Sequence, residues 1–274
     1  MLTRAMVFLL AGGVLLARSA YDDDITKWRN DRVAALKADG GWLSVAGLFW
    51  LHEGANPSGK EASNDIVLPD GAARAGVLHL DHGKVTATIE GAGTHPLRPD
   101  SADVLRVGRL SLFVIQRGGK FGIRLKDPEA ETRREFKGIE TFPTNPAWRV
   151  TAKWVAEPHK IPILNVLGQT ENSESPGYAL FHLNGQEFKL YPILEEAGAK
   201  ELFYIFRDQT SAKETYPAGR FLYSALPKDG QVVLDFNKAY NPPCAFTAYA
   251  TCPLPPPENR LAVRIEAGEK KYGH

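Results

Sequence analysis

The chain has 274 residues, 43% of them hydrophobic, with 33 basic against 32 acidic side chains and a net charge of +1. That length and apolar content suffice for a substantial buried core, in one large domain or two smaller ones, and exclude wholesale disorder. The near-neutral balance removes the electrostatic case for a nucleic-acid partner, so any ligand must be recognised by local groups. The 25 glycines and 19 prolines point to many turns and favour short strands over long helices.

The first 19 residues have the grammar of a signal peptide: Arg4 supplies the charge, Ala5 to Ala17 form an apolar run, and Ala17-Arg18-Ser19 offers a small-x-small cleavage site. The run is about 13 residues, short of the roughly 20 that span a bilayer, so no stable membrane span is expected after signal removal. A periplasmic or secreted location and a mature start near Ala20 follow. Next comes an amphipathic helix, with Asp22 to Asp24 expected at its N-terminus, Ile25, Trp28, Arg32, Val33 and Leu36 at helical spacing, and Gly40-Gly41 ending it. Trp42 to Leu51 is apolar almost throughout and therefore buried, but its period fits a short helix and a strand equally.

From Ile66 onward short strands bounded by turn residues dominate: Val77 to Leu80, Lys84 to Ile89, Leu110 to Ile115, Phe121 to Leu125, Trp148 to Val155, Tyr178 to Leu183 and Gln186 to Tyr191. Asn184-Gly185 is the strongest hairpin signal, and Asp229-Gly230 separates Phe221 to Ser224 from Val232 to Phe236. Asp127 to Glu140 and Gln169 to Gly177 read as surface loops. The expected fold is mainly β, an antiparallel sandwich or barrel of short strands with an N-terminal amphipathic helix. Residues 20–274 are expected to form a single β-rich domain, or one divided into two lobes.

Common catalytic signatures are missing. Gly54 to Glu61 has the glycine and lysine spacing of a phosphate-binding loop, but Glu61 stands where a magnesium-ligating hydroxyl belongs, so a surface loop is expected. His79 and His82 straddle a strand end and its turn, and no metal site is expected. No G-x-S-x-G, H-E-x-x-H or C-x-x-C occurs. Gly54, Gly59, Asn64 to Pro69 and Gly108-Arg109-Leu110 together resemble the forkhead-associated sandwich, which binds phosphothreonine peptides. The Ser-Arg pair that would hold the phosphate is not at the matching positions.

Residues 235 to 261 contain both cysteines and six of the prolines. In an oxidising compartment Cys244 and Cys252 are expected to pair as a disulfide. Alternatively Cys244, approached through Asn241-Pro242-Pro243, is a nucleophile, although no histidine lies between 183 and 273 to activate it. A third reading has both thiols buried and inert. Polar side chains gather around this segment: Asp208, Tyr216 and Arg220 before it, Asp235, Asn237, Tyr240 and Asn241 leading in, and Asn259 and Glu269 after it. Each has an ordinary structural use. Together, beside a stiff loop, they suit a pocket for a small polar ligand, with Cys244 as nucleophile or Asp235 or Glu269 as acid or base.

The blocks GWLSVAGLFWLHEG (41–54), FGIRLKD (121–127), TYPAGRFLY (215–223), the whole of 235–261 and AGEK (267–270) resemble the bacterial and archaeal family known as domain of unknown function 1684. The resemblance brings no reaction, substrate or cofactor. It includes members without export signals, which implies a packing or site role for the cysteine segment over dependence on a bridge. Two expectations therefore stand, a small-ligand or catalytic pocket around 208–269, and a non-catalytic β module whose loop 241–257 is a brace or docking surface.

Overall fold

The computed structural model describes residues 3–89 and 93–273, with side chains from Ala20 onward. Helix α1 spans Thr3–Lys37. Asp22 to Asp24 therefore lie inside the helix and do not cap it, because the apolar run before them continues the helical backbone. The expected cleavage site lies in the same helix, its side chains outside the described residues. Among the described residues no helix is long and apolar enough to cross a membrane.

The chain forms two compact units, one from residues 36–137 with 246–251, the other from 1–35, 138–245 and 252–274. The first unit carries nine strands: β1 (Val45–Trp50), β2 (Gly54–Gly59), β3 (Ile66–Val67), β4 (Gly76–Asp81), β5 (Lys84–Ile89), β6 (Gly93–Leu97), β7 (Leu105–Val107), β8 (Leu110–Arg117) and β9 (Lys120–Lys126). They build two sheets, β1-β9-β8-β7 and β3-β2-β4-β5-β6, antiparallel apart from the parallel β2–β3 pair. Leu78 and Ala87 from one sheet share a buried core with Leu112 and Ile123 from the other, so this unit is a sandwich.

Two open points of the sequence are decided here. Trp42–Ser44 makes one 3-10 turn and Val45–Trp50 is a strand, because Phe49 and its neighbours pair with β9 in register. Gly54–Gly59 is also a strand and not a loop. The buried Asn56 amide ties it down, donating to the carbonyls of His52 at 2.9 Å and Leu78 at 3.3 Å.

The second unit is built on β10 (Arg149–Leu164), β11 (Thr170–Leu183), β12 (Gln186–Leu190), β13 (Glu201–Phe206), β14 (Arg220–Ala225) and β15 (Gln231–Asp235). One sheet runs β12-β11-β10-β15, and β13 pairs with β14. Asn184 and Gly185 turn the β11–β12 hairpin at φ 52° and 78°, the left-handed pair that a two-residue hairpin turn requires. Residues 170–177 belong to β11 and are not a loop. Most of their polar side chains face solvent along a long ribbon paired with β10, while Ser175 is buried and donates to Gly177 O at 3.1 Å. Asp229-Gly230 does form a turn, but β15 pairs with β10 while β14 pairs with β13. The core gathers Phe181, Tyr204, Phe206, Leu222, Leu234, Phe236 and Ile265. The architecture is thus mainly β with antiparallel sheets and an N-terminal helix, as the pattern of strands and turns implies.

Candidate functional site

Strand β15 ends at Asp235, whose carboxylate accepts from the Asn237 amide N–H at 3.2 Å and so starts a 3-10 turn over Phe236–Lys238. Asn237 is fully buried and fully used. Its Oδ1 accepts from Asn145 N at 3.0 Å, and its Nδ2 donates to Asn145 O and to the Tyr21 hydroxyl, both at 2.9 Å. Tyr21 in turn donates to Asp235 Oδ1 at 2.8 Å. Burial first, then this carboxylate, pushes the Tyr21 phenol above its ordinary range.

The chain then runs against residues 267–270. Gly268 sits at φ +77°, where a Cβ would lie 2.3 Å from the Ala239 carbonyl oxygen, so only glycine admits this approach. Glu269 is buried, accepting from Asn241 N at 2.7 Å and from Arg32 Nε at 3.2 Å. Burial raises its carboxyl above the usual range, and Arg32 and the Asn241 N–H oppose the shift. Arg32 Nη2 also donates to Asn241 O at 2.9 Å, and Lys238 pairs with Asp24 at 2.8 Å. Asp235, Asn237, Asn241 and Glu269 are therefore the receptor for the face of α1 that carries Tyr21, Asp24 and Arg32.

Deeper in the unit Arg220 is 1% exposed. Its Nη2 donates to Asp208 Oδ1 at 3.2 Å and to Ile265 O at 3.0 Å, and its Nη1 to Ala267 O. Asp208 also accepts from Ile265 N at 2.7 Å and from Thr210 Oγ1 at 2.9 Å. Asn259 spends its whole amide on backbone, taking Tyr191 N at 2.9 Å and giving to Tyr191 O and Ile205 O at 2.8 and 2.9 Å. These are braces between distant segments.

The expected disulfide is not formed. Cys244 and Cys252 are both in the thiol form, not at bonding distance. Cys244 N donates to Cys252 Sγ at 3.1 Å, and the Tyr216 hydroxyl donates to Cys244 O at 2.9 Å, so these bonds hold the loop without a bridge. A hydrogen bond with Cys252 lowers the Cys244 thiol, with burial opposing it, while burial and then Cys244 raise the Tyr216 phenol. Among the described residues no cluster of three or more His, Cys, Asp or Glu could hold a metal ion.

Beside α1 the same unit carries an open cleft of about 650 Å³. Trp28, Asp31, Arg32 and Ala35 of the helix form one wall. Arg149, Glu201, Tyr223, Ser224, Ala225, Val233, Asp235, Lys238 and Tyr240 complete it. The Arg32 guanidinium lies 4.5 Å over the Tyr240 ring, and Tyr240 is parallel to Tyr223 with centroids 6.2 Å apart. Tyr223 donates to Glu195 at 2.7 Å. Burial, ahead of every other influence, holds both phenols above their ordinary range.

Of the residues singled out from sequence, the structure brings Asp235 and Tyr240 to the cleft and encloses Asp208, Arg220, Asn237, Asn241, Asn259 and Glu269 in internal bonds. Tyr216 and Cys244 stand apart from the lining. Sequence reasoning missed Trp28, Arg32 and Tyr223. Trp28 and Arg32 were visible as i,i+4 neighbours on one helix face, but nothing in the chain before folding says which strand that face meets.

No curated protein matches the chain. The solution NMR structure of an uncharacterized protein from Haloarcula marismortui is similar, with 31% sequence identity over 50% of this chain and 78% of that one, at a TM-score of 0.43. Residues 134–270 match the family model described as Protein of unknown function (DUF1684). That stretch holds β10 to β15, the 235–241 segment and the Glu269 clamp, and on it the chain belongs to this family of unknown function.

Proposed function

We propose that this protein binds a small polar ligand in the cleft beside α1. One observation carries the reading. A concavity of about 650 Å³, within the 300–1,000 Å³ of small-ligand sites, has aromatic rims and charged groups carried on α1, on the paired strands β10, β13, β14 and β15 and on the turn after β15. Such a site needs little reordering on binding. Binding fits better than catalysis. Glu269 is enclosed by Arg32 and Asn241, Cys244 is outside the lining, and Asp235 Oδ1 is already taken by Tyr21 and Asn237.

A thermal-shift screen of the full chain against a metabolite library tests this. A ligand that binds the folded state alone raises the melting temperature, by about 2.7 kcal/mol of stabilisation at a hundredfold excess over Kd. Ala225→Trp, an exposed position on the cleft wall, should abolish the shift while melting like the wild type. A library that never moves the wild type contradicts the reading.

The loop 241–257 serves as a brace in the same reading. Val166 N bonds Cys252 O at 3.0 Å and Leu254 N bonds Leu164 O at 2.7 Å, which supports the β-module alternative for this segment.

We also place the protein outside the cytoplasm, on the strength of residues 1–19. Among the described residues the contacts that dock α1 begin at Tyr21, and none of these needs residues 1–19. N-terminal sequencing of the purified protein is expected to start near Ala20, and a start at Met1 would overturn the export reading.

A further inference from the structure

Within the cleft, the chemistry of the ligand follows from which lining groups are already committed. Arg32 is held by Glu269 and the Asn241 carbonyl, Lys238 by Asp24, Asp31 by Lys27, and Asp235 by Tyr21 and Asn237. Two charged groups remain loose. Arg149 is half-exposed with its nearest carboxylate, Asp235, 4.0 Å away, and the exposed Glu201 carboxylate makes no ion pair or hydrogen bond among the described residues.

The cleft thus offers one guanidinium, Arg149, paired only at 4.0 Å with Asp235, one uncommitted carboxylate, Glu201, and two phenols that burial keeps neutral. An anionic ligand would find Arg32 and Lys238 neutralised and would face Glu201. A cationic one would meet Arg149. A neutral hydroxyl both donates and accepts, so it can use a guanidinium, a carboxylate and a phenol together. Around these groups stand Ala35, Ala225, Val233 and the half-buried Trp28 ring, an apolar surface for the C–H face of a ring.

Resting on the cleft reading above, we propose that the ligand is a neutral carbohydrate, its hydroxyls shared between Arg149, Glu201 and the Tyr223–Tyr240 edge and its apolar face on Trp28 and Val233. The wall supplied by α1 then sets which sugars fit.

Saturation-transfer NMR of the full chain with maltotriose, cellotriose, xylotriose and triacetylchitotriose, beside AMP, glutamate and inorganic phosphate, tests the class. At least one neutral trisaccharide should receive saturation, with an affinity that changes little between about 0.05 and about 0.5 M salt, since no net charge is screened. Glu201→Ala, at an exposed position that no internal bond needs, should weaken that affinity about tenfold, near 1.4 kcal/mol. Ala225→Trp should abolish it. If only AMP, glutamate or phosphate binds, in a manner that Ala225→Trp removes, the carbohydrate class is overturned and the cleft stands. If a sugar binds equally to Ala225→Trp, its site is elsewhere and this proposal fails. If neither set binds and the library screen is also silent, both readings fall.

Discussion

Asp208→Ala is expected to destabilise the protein by about 3–5 kcal/mol, because it takes away the one carboxylate that pairs directly with the buried Arg220. Arg220 is 1% exposed and its ion pair with Asp208 lies wholly out of solvent. Its other partners are the Ile265 and Ala267 carbonyls, and its Nε has no partner among the described residues. The loss also frees the Ile265 N–H and the Thr210 hydroxyl. Set against a whole-domain stability of about 5–15 kcal/mol, this is severe. Arg220→Met in the same background should recover part of the loss, since removing both charges is milder than removing one. Urea unfolding followed by circular dichroism measures it. A midpoint for Asp208→Ala close to wild type, or a double variant worse than either single, would contradict the role given to this pair.

Arg32→Met should cost roughly 3 kcal/mol near pH 8 and distinctly less near pH 5. Glu269 is buried and its carboxyl is already raised by desolvation, with Arg32 the main opposing influence. A carboxyl whose folded value is raised holds its proton to higher pH than the unfolded chain does. Stability is therefore gained as pH falls through the folded value and lost as pH rises through it. Without Arg32 the folded value rises further, and the window of alkaline destabilisation widens. Glu269→Gln should remove this contribution to the pH dependence in either background. Equal losses at the two pH values, or a pH dependence that persists in Arg32→Met/Glu269→Gln, would show that Glu269 is not the group concerned. The same variant loosens the helix wall of the cleft, so ligand affinity should fall alongside stability.

The strands were legible because alternation and glycine turns are local. Asn184-Gly185 and the β4–β5 and β8–β9 pairs follow from spacing alone. Pairing across distance was not legible: β15 joins β10, far away in sequence, and no residue near Asp229-Gly230 encodes that choice. Polar 170–177 reads as a loop because nothing local reveals that β10 continues to Leu164 to meet it.

The candidate site followed the same division. The importance of Asp235, Asn237, Tyr240, Asn241 and Glu269 is visible in their density beside a proline-braced loop. Their task is not, since it depends on α1, more than 200 residues away along the chain, packing against them. Side chains chosen as ligand contacts proved to be the sockets of a helix, and the cleft lies where that helix leaves the sheet face uncovered. The disulfide failed for a related reason. Compartment and loop length permit a bridge, but a backbone N–H and a phenol already fix the loop.

The most direct test of the cleft as the functional site is a crystal structure of the full chain soaked with the tightest ligand from the screens. That ligand should lie against Trp28, Tyr223 and Tyr240, within hydrogen-bond reach of Arg149 or Glu201, with α1 still clamped through Arg32 and Glu269. A ligand seated instead around Cys244 and Tyr216, or bound with the cleft unoccupied, would contradict it.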